Sequence, residues 1–420
     1  MTCNNKNWSK IILILIFFIL TSTLQAELEL HISKSAGDGI PILIAPISGG
    51  ASTIIDADLK RSGRFTCVYL KKGAVLPPFG VHLSPNILQA IKAEYIVRGR
   101  VTKAGLDVEL LDINNNGRRI ATYRISNINH RRRMAHKAAD KIFERITRLK
   151  GAFDTRLAYV TVTGRRPNKH YRLYISDSDG YNPHVILNSD QPIMSPSWAP
   201  NGKQLAYVSF ESGKSGIYVQ NIFTGEKHLV SGKKGINGAP AWSRNGSQIA
   251  MSLSIDGNSE IYILSVYNGA LKRLTNNRAI DTEPTWSGDG HSIIFTSDRG
   301  GGAQLYKIPA YGGKAKRITF VGNYNSAADI VGNKIALVRQ YAGQFRIAIM
   351  QMGGAGADII STGQYDESPS LAPNGSMIVY ATQRSGRGRL VVVSDNGKSK
   401  QELYAPEGEV REPAWSPYIH

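Results

Sequence analysis

From Leu157 onward, short apolar runs alternate with turn residues at a fixed interval. The unit Pro196-Ser197-Trp198, followed by Asn201-Gly202 and the run Leu205-Ala206-Tyr207, returns as Pro240-Ala241-Trp242 with Asn245-Gly246 and Ile249-Ala250-Met251. It returns at Pro284-Thr285-Trp286 with Asp289-Gly290 and Ile293-Ile294-Phe295, and at Pro369-Ser370-Leu371 with Asn374-Gly375 and Ile378-Val379-Tyr380. A truncated copy, Pro413-Ala414-Trp415, stands close to the last residue. Trp198, Trp242 and Trp286 are spaced 44 apart, as are Leu371 and Trp415, whereas Trp286 and Leu371 are 85 apart. The wide gap holds a degenerate unit, for which Ala328-Asp329-Ile330-Val331 and Ile335-Ala336-Leu337 are the candidates. A period of about 40–45 residues with four short strands is one propeller blade.

In each unit the Pro-x-Trp strand meets a second strand through Asn-Gly or Asp-Gly, the strongest short hairpin signal. Third strands are marked by Ile217-Tyr218, Ile261-Tyr262 and Leu305-Tyr306. Basic fourth strands follow at 271–275 and 315–319, where charge on an outer edge discourages edge-to-edge pairing. Second strands begin at Leu157, Leu205, Ile249, Ile293, Ile335 and Ile378, and the Pro-x-Trp strands run one unit behind them. The unit opened by Leu157 therefore lacks its inner strand, and Pro413 to Ser416 supplies it. The expectation is an all-β six-bladed β-propeller over residues 157–420, closed by pairing the two ends of the repeat region, with the Trp side chains wedged between blades.

Residues 27–150 lack the repeat. Strand-like runs fall at 28–32, 42–47, 65–70, 95–101, 107–113 and 120–125, and helices at 51–60 and 131–149. The second helix places Met134, Ala138, Ile142 and Ile146 on one face. This predicts a small α/β domain preceding the propeller, with 151–156 as a short linker. Residues 1–26 have a different pattern: Lys6 and Lys10, the ten-residue apolar run Ile11 to Leu20, and a polar exit ending in Leu24-Gln25-Ala26. That is the layout of a cleaved secretory signal peptide, and the run is too short for a bilayer, which takes about 20 residues. The expected location is the periplasm.

Composition changes this picture in two places. The chain has 51 Lys and Arg against 32 Asp and Glu, a net charge of +19; losing Lys6 and Lys10 leaves +17. Nucleic acid is the usual partner of a basic protein, but an exported chain rarely meets it, and compositional bias or an anionic envelope surface accounts better for the charge. The run His130-Arg131-Arg132-Arg133 reads as a solvated helix start. After cleavage only Cys67 remains, read as a buried apolar residue without a disulfide. No G-x-S-x-G elbow, H-E-x-x-H, P-loop or Cys pair is present, so no catalytic residue is assigned. A propeller glycosidase, lyase or peptidase-accessory domain remains the alternative. Its candidate pair, Asp366 and Glu367, is adjacent on a strand, and adjacent side chains point to opposite faces. Asp177-Ser178-Asp179-Gly180 superficially suggests a calcium loop but sits where a strand turn is due.

The run Lys150-Gly151-Ala152-Phe153-Asp154-Thr155-Arg156, together with Asn237-Gly238-Ala239-Pro240, Thr282-Glu283-Pro284, Ser368-Pro369 and the chain end Pro413-Ala414-Trp415-Ser416-Pro417-Tyr418, resembles the TolB family of the Tol-Pal cell-envelope system. The resemblance covers nearly the whole chain beyond residue 26. It departs at Leu371, where the blade aromatic is missing, and around Asp329, where Pro and Trp are both lost. It implies a non-catalytic binding scaffold without cofactor. One mouth of the propeller would bind the lipoprotein Pal, with contacts at Asn237, Gly238, Ala239, Thr282 and Glu283. The segment Glu27, Leu28, Glu29, Leu30, His31, Ile32, Ser33 would bind the inner-membrane protein TolA. Its alternation suits a strand that adds to a sheet edge. Pal binding would shift the order of that segment, and the assembly would support outer-membrane integrity and constriction at division.

Topology reaches the same mouth independently. The loops leading into the inner strands converge there and carry Asp190, Asp281, Glu283, Asp329, Asp366, Glu367, Glu409 and Glu412. The reading is a predominantly acidic ring, with Asp366 and Glu367 added to the Pal contacts. Such a ring steers a basic partner and offers a weak Ca²⁺ site; solvated turn carboxylates are the bland alternative.

Overall fold

The computed structural model describes the backbone of residues 30–31, and residues 39–419 apart from 72, 127–129, 166, 385 and 407. The expected signal segment lies outside these residues. Among them no helix is long and apolar enough to cross a membrane.

The N-terminal domain is a six-stranded mixed sheet. Spatially it runs Leu30–His31, Phe65–Leu70, Ile40–Ile44, Tyr95–Thr102, Gly105–Asp112, Arg118–Ser126. Ile40–Ile44 pairs in parallel with both its neighbours, and the later strands form an antiparallel meander. Helices α1 (Ala51–Arg61) and α3 (Arg131–Thr147) pack on the sheet; the short α2 spans Pro85–Ala90. The apolar stripe of α3 is Met134, Ala138 and Ile142, all buried. The helix stops two residues short of the Leu149 expected from the pattern, because Arg148 turns left-handed at φ 65 and returns its N–H to Glu144 O. That is the ordinary αL stop, here without glycine.

The propeller is built of six four-stranded antiparallel sheets. Blade 1 consists of Glu409–Trp415, Arg156–Arg165, Asn168–Asp177 and His184–Ser189, so the ring is closed by the chain's last strand. The inner strands of blades 2 to 6 are Ile193–Trp198, Asn237–Trp242, Asp281–Trp286, Asn325–Val331 and Asp366–Leu371. Tryptophans bond across blade boundaries: Trp198 Nε1 donates to Ala414 O at 3.1 Å, and Trp286 Nε1 to Ala241 O at 3.0 Å. Trp415 Nε1 donates to Thr155 Oγ1 at 2.8 Å, tying the last strand to the residue before the first.

One apolar cluster runs from the N-terminal sheet through Phe143 and Phe153 into Leu157, Val392 and Trp415. The two domains therefore share a core. Phe143 and Phe153 meet edge to face, ring centroids 5.6 Å apart. The linker is fixed by Asp140, whose carboxylate accepts the Phe153 and Asp154 N–H groups at 2.7 and 3.0 Å.

Candidate functional site: the open mouth of the channel

Every inner strand contains the same irregularity. The register with its neighbour slips between its second and fifth residues in all six blades, from Met194/Ser197 to Arg411/Ala414. The third residue of each strand (counting blade 1 from Val410) has positive φ: Ser195 at 50, Ala239 at 47, Glu283 at 53, Ala327 at 50, Ser368 at 52 and Glu412 at 49. None is glycine. Each such residue costs on the order of 1–3 kcal/mol, sustained only where the surroundings fix it. The six β-bulges form a strained collar around the channel. The degenerate blade keeps the bulge at Ala327 although its Pro and Trp are gone.

The collar is laced by carboxylates. Glu283 Oε2 accepts the Ala327 N–H of the next blade at 2.9 Å and the Thr296 hydroxyl at 2.8 Å. Glu412 Oε2 accepts the Ser195 N–H in the same way across the closure. Asp329 Oδ2 accepts the Leu371 N–H at 2.7 Å and the Ser370 hydroxyl at 3.1 Å. Burial pushes the Glu412 carboxyl up, against the Ser195 hydrogen bond. The channel encloses about 540 Å³, lined at one end by this collar and at the other by Arg244, Ser416, Pro417 and Tyr418.

The acidic-ring expectation is corrected here. Asp281 and Asp366 are 0 % exposed, and Asn237 and Asn325 are equally buried. Each opens an inner strand, and its side chain folds back onto its own lead-in loop. Asn237 Nδ2 donates to Lys233 O at 2.8 Å while its Oδ1 accepts the Lys233 N–H at 3.0 Å. Asp281 accepts from Asn277 Nδ2 of its lead-in loop at 2.8 Å and, from beyond that loop, two bonds from Arg299 Nη2 at 2.9 and 2.6 Å. Asp366 accepts from the Ser361 hydroxyl and from Gly363 N–H at 3.0 Å. A buried polar group must be paired, and these pair with loop backbone, an arginine and a serine hydroxyl. The exposed rim instead carries Met194, Ile236, Ile280 and Tyr365. Of the expected ring acids, Asp190 and Glu367 are exposed, and Glu367 sits near Glu409 and Arg411; partial burial raises the Glu367 carboxyl against the pull of Arg411.

Of the expected contact residues, Gly238, Ala239, Thr282 and Glu283 come together on two adjacent strands, with Glu367 farther round the ring. Asn237 and Asp366 lie beneath the rim. Among Glu27 to Ser33, only Leu30 and His31 fall within the described residues; they form the edge strand of the N-terminal sheet, paired with Leu70 and Tyr69. Among the described residues, the channel carboxylates of Glu283, Asp329 and Glu412 do not gather into a cluster of three ligating atoms. Among the described residues, the one cluster of three with metal-ligating atoms close together is Asp58, His136 and Asp179, at the domain junction, where arginines already hold both carboxylates. Sequence patterning missed that junction and the collar.

The fold and its laced mouth define a six-bladed propeller joined to a small α/β domain. The sequence model of the TolB beta propeller domain matches residues 143–419. The Tol-Pal system protein TolB of Xanthomonas oryzae pv. oryzae is 49 % identical, with 98 % of each chain covered, and that of Xylella fastidiosa is 50 % identical with 98 % of each covered. The crystal structure of TolB from Acinetobacter baumannii superposes with a TM-score of 0.85 at 36 % identity, covering 93 % of this chain and all of that one. The chain belongs to the TolB family of Tol-Pal system proteins.

Proposed function

We propose that the protein is a non-catalytic periplasmic scaffold of the Tol-Pal system, exported by the segment 1–26. It binds Pal at the collar mouth and TolA through Glu27 to Ser33, and supports outer-membrane integrity and constriction at division. The observation that carries the reading is the bond from Glu283 to Ala327 N–H, which fixes adjacent blades in register at the rim. A pre-set collar binds without the entropy of ordering a loop on contact. Gly238, Ala239, Thr282, Glu283 and Glu367 supply the contact surface, while buried Asn237 and Asp366 hold the loops that present it. The glycosidase alternative loses support because Asp366 is sealed beneath the rim and Glu367 faces out, so the two carboxylates do not face one substrate.

Calorimetry of Pal against wild type and Glu283→Ala tests this. Loss of the carboxylate should weaken Pal binding at least tenfold with the fold retained. Unchanged affinity in a folded variant overturns the assignment of Glu283, and turnover of a glycoside that Glu283→Ala abolishes overturns the scaffold reading.

A further inference from the structure

The face opposite the mouth carries an unassigned feature. The turn joining the third and fourth strands of each blade lies there. In blades 2, 3 and 4 these turns present Phe223, Tyr267 and Tyr311, again 44 residues apart, and they are 62, 85 and 81 % exposed. In blades 6 and 1 the equivalent turns carry the N-terminal domain instead: Asp395 binds Arg64 at 2.8 Å, Asn396 Nδ2 donates to Gly63 O at 3.2 Å, and Asp179 binds Arg132. One turn position is thus a docking point where it is covered and an exposed aromatic where it is bare.

Two further observations say what fits the bare arc. The turns of blades 2 to 4 on this face and the fourth strands beside them expose Lys203, Arg244, Lys272, Lys314 and Lys316, against only Glu226 and Asp289 among the described acids. Between blades 3 and 4 a groove of about 560 Å³ opens on the same face. Its floor is Trp286, Ile263 and Leu271, and its lip is Tyr311, Lys272 and His291. Lys272 Nζ donates to the main-chain carbonyl of Tyr311 at 2.7 Å, fixing a cation at the lip of the groove. An apolar floor with a basic lip matches an amphiphile with an anionic head. Aromatic rings flanked by lysines are the side chains that settle at an anionic bilayer surface.

We propose that this arc is a peripheral binding surface for anionic phospholipid membrane, with Phe223, Tyr267 and Tyr311 entering the headgroup layer and the groove accepting part of one lipid. The arc leaves the collar mouth free.

Vesicle flotation with the purified chain tests the proposal. Vesicles of phosphatidylethanolamine containing phosphatidylglycerol should carry the protein, and pure phosphatidylcholine vesicles should not; high salt should release it. The exposed triple variant Phe223→Ser/Tyr267→Ser/Tyr311→Ser should float at least tenfold less. Lys314→Glu/Lys316→Glu should weaken flotation on anionic vesicles, and both variants should melt as wild type does. Failure of wild type to float with anionic vesicles, equal flotation by a folded triple variant, or sedimentation with isolated peptidoglycan but not with vesicles would each overturn it.

Discussion

Nδ1 of His136 lies 2.7 Å from Asp58 Oδ2, and from the same ring Nε2 lies 3.6 Å from Asp179 Oδ2. Asp58 and His136 stand on α1 and α3; Asp179 belongs to a turn of blade 1. A buried imidazole thus spans the two domains, with Arg61 on Asp58 and Arg132 on Asp179. Asp177 also lies near, 4.0 Å from Arg132. Burial disfavours the charged ring, but the two carboxylates outweigh it and raise the His136 pKa. A raised histidine contributes stability that is complete below its unfolded value of about 6.5 and is lost as pH rises through the folded value. Asp140, which burial pushes up to about 7, works in the same direction. Denaturant midpoints should therefore fall as pH rises from about 6 through about 7 and above. His136→Leu should cost about 3 kcal/mol at low pH, as removing one partner of a buried pair does, and His136→Leu/Asp140→Asn should flatten the pH slope. A midpoint that rises over this range contradicts the assignment.

Ring closure gives a second expectation. Deleting residues after Glu412 removes Trp415 and the Ala414 carbonyl that receives the Trp198 indole. The truncated protein should fail to give a cooperative melt by circular dichroism, since blade 1 then loses Pro413 to Trp415, the part of its inner strand that carries the interblade and linker bonds.

Glu412→Gln and Glu412→Ala separate charge from bonding. The alanine variant leaves the strained Ser195 N–H without its acceptor and should lose about 1–3 kcal/mol by urea denaturation. The amide keeps an acceptor and should lose less than the alanine variant does.

The degenerate blade offers a stabilising change. Ala328 occupies the position filled by Pro196, Pro240, Pro284, Pro369 and Pro413 in the other blades, after a residue of the same positive φ. Since proline is accommodated there five times over, Ala328→Pro should raise stability by about 0.4–1 kcal/mol through the unfolded chain. A lowered denaturation midpoint would mean that blade 5 departs from the others at this point.

The blades were legible because Pro-x-Trp and Asn-Gly recur with fixed spacing, and spacing alone located blade 5 around Ile335. The mouth was legible in position but not in character. Asp281 and Asp366 looked like surface acids, yet a strand's first residue can turn its side chain back onto its own loop, and nothing local announces which it does. The collar left no trace because Ser195, Ala239 and Glu283 are not residues that signal positive φ. The His136 cluster joins groups 78 residues apart along the chain, a distance at which no periodicity speaks.

The shared core through Phe143, Phe153 and Trp415 has a mechanical consequence. Among the described residues, the N-terminal strand at Leu30–His31 is joined to the sheet by a two-residue pairing with Leu70 and Tyr69. A load passed further in, to α3, meets the one strand that seals the ring. Traction on the N-terminal side should therefore part the Leu30–His31 pairing before it strains the strand that seals the ring.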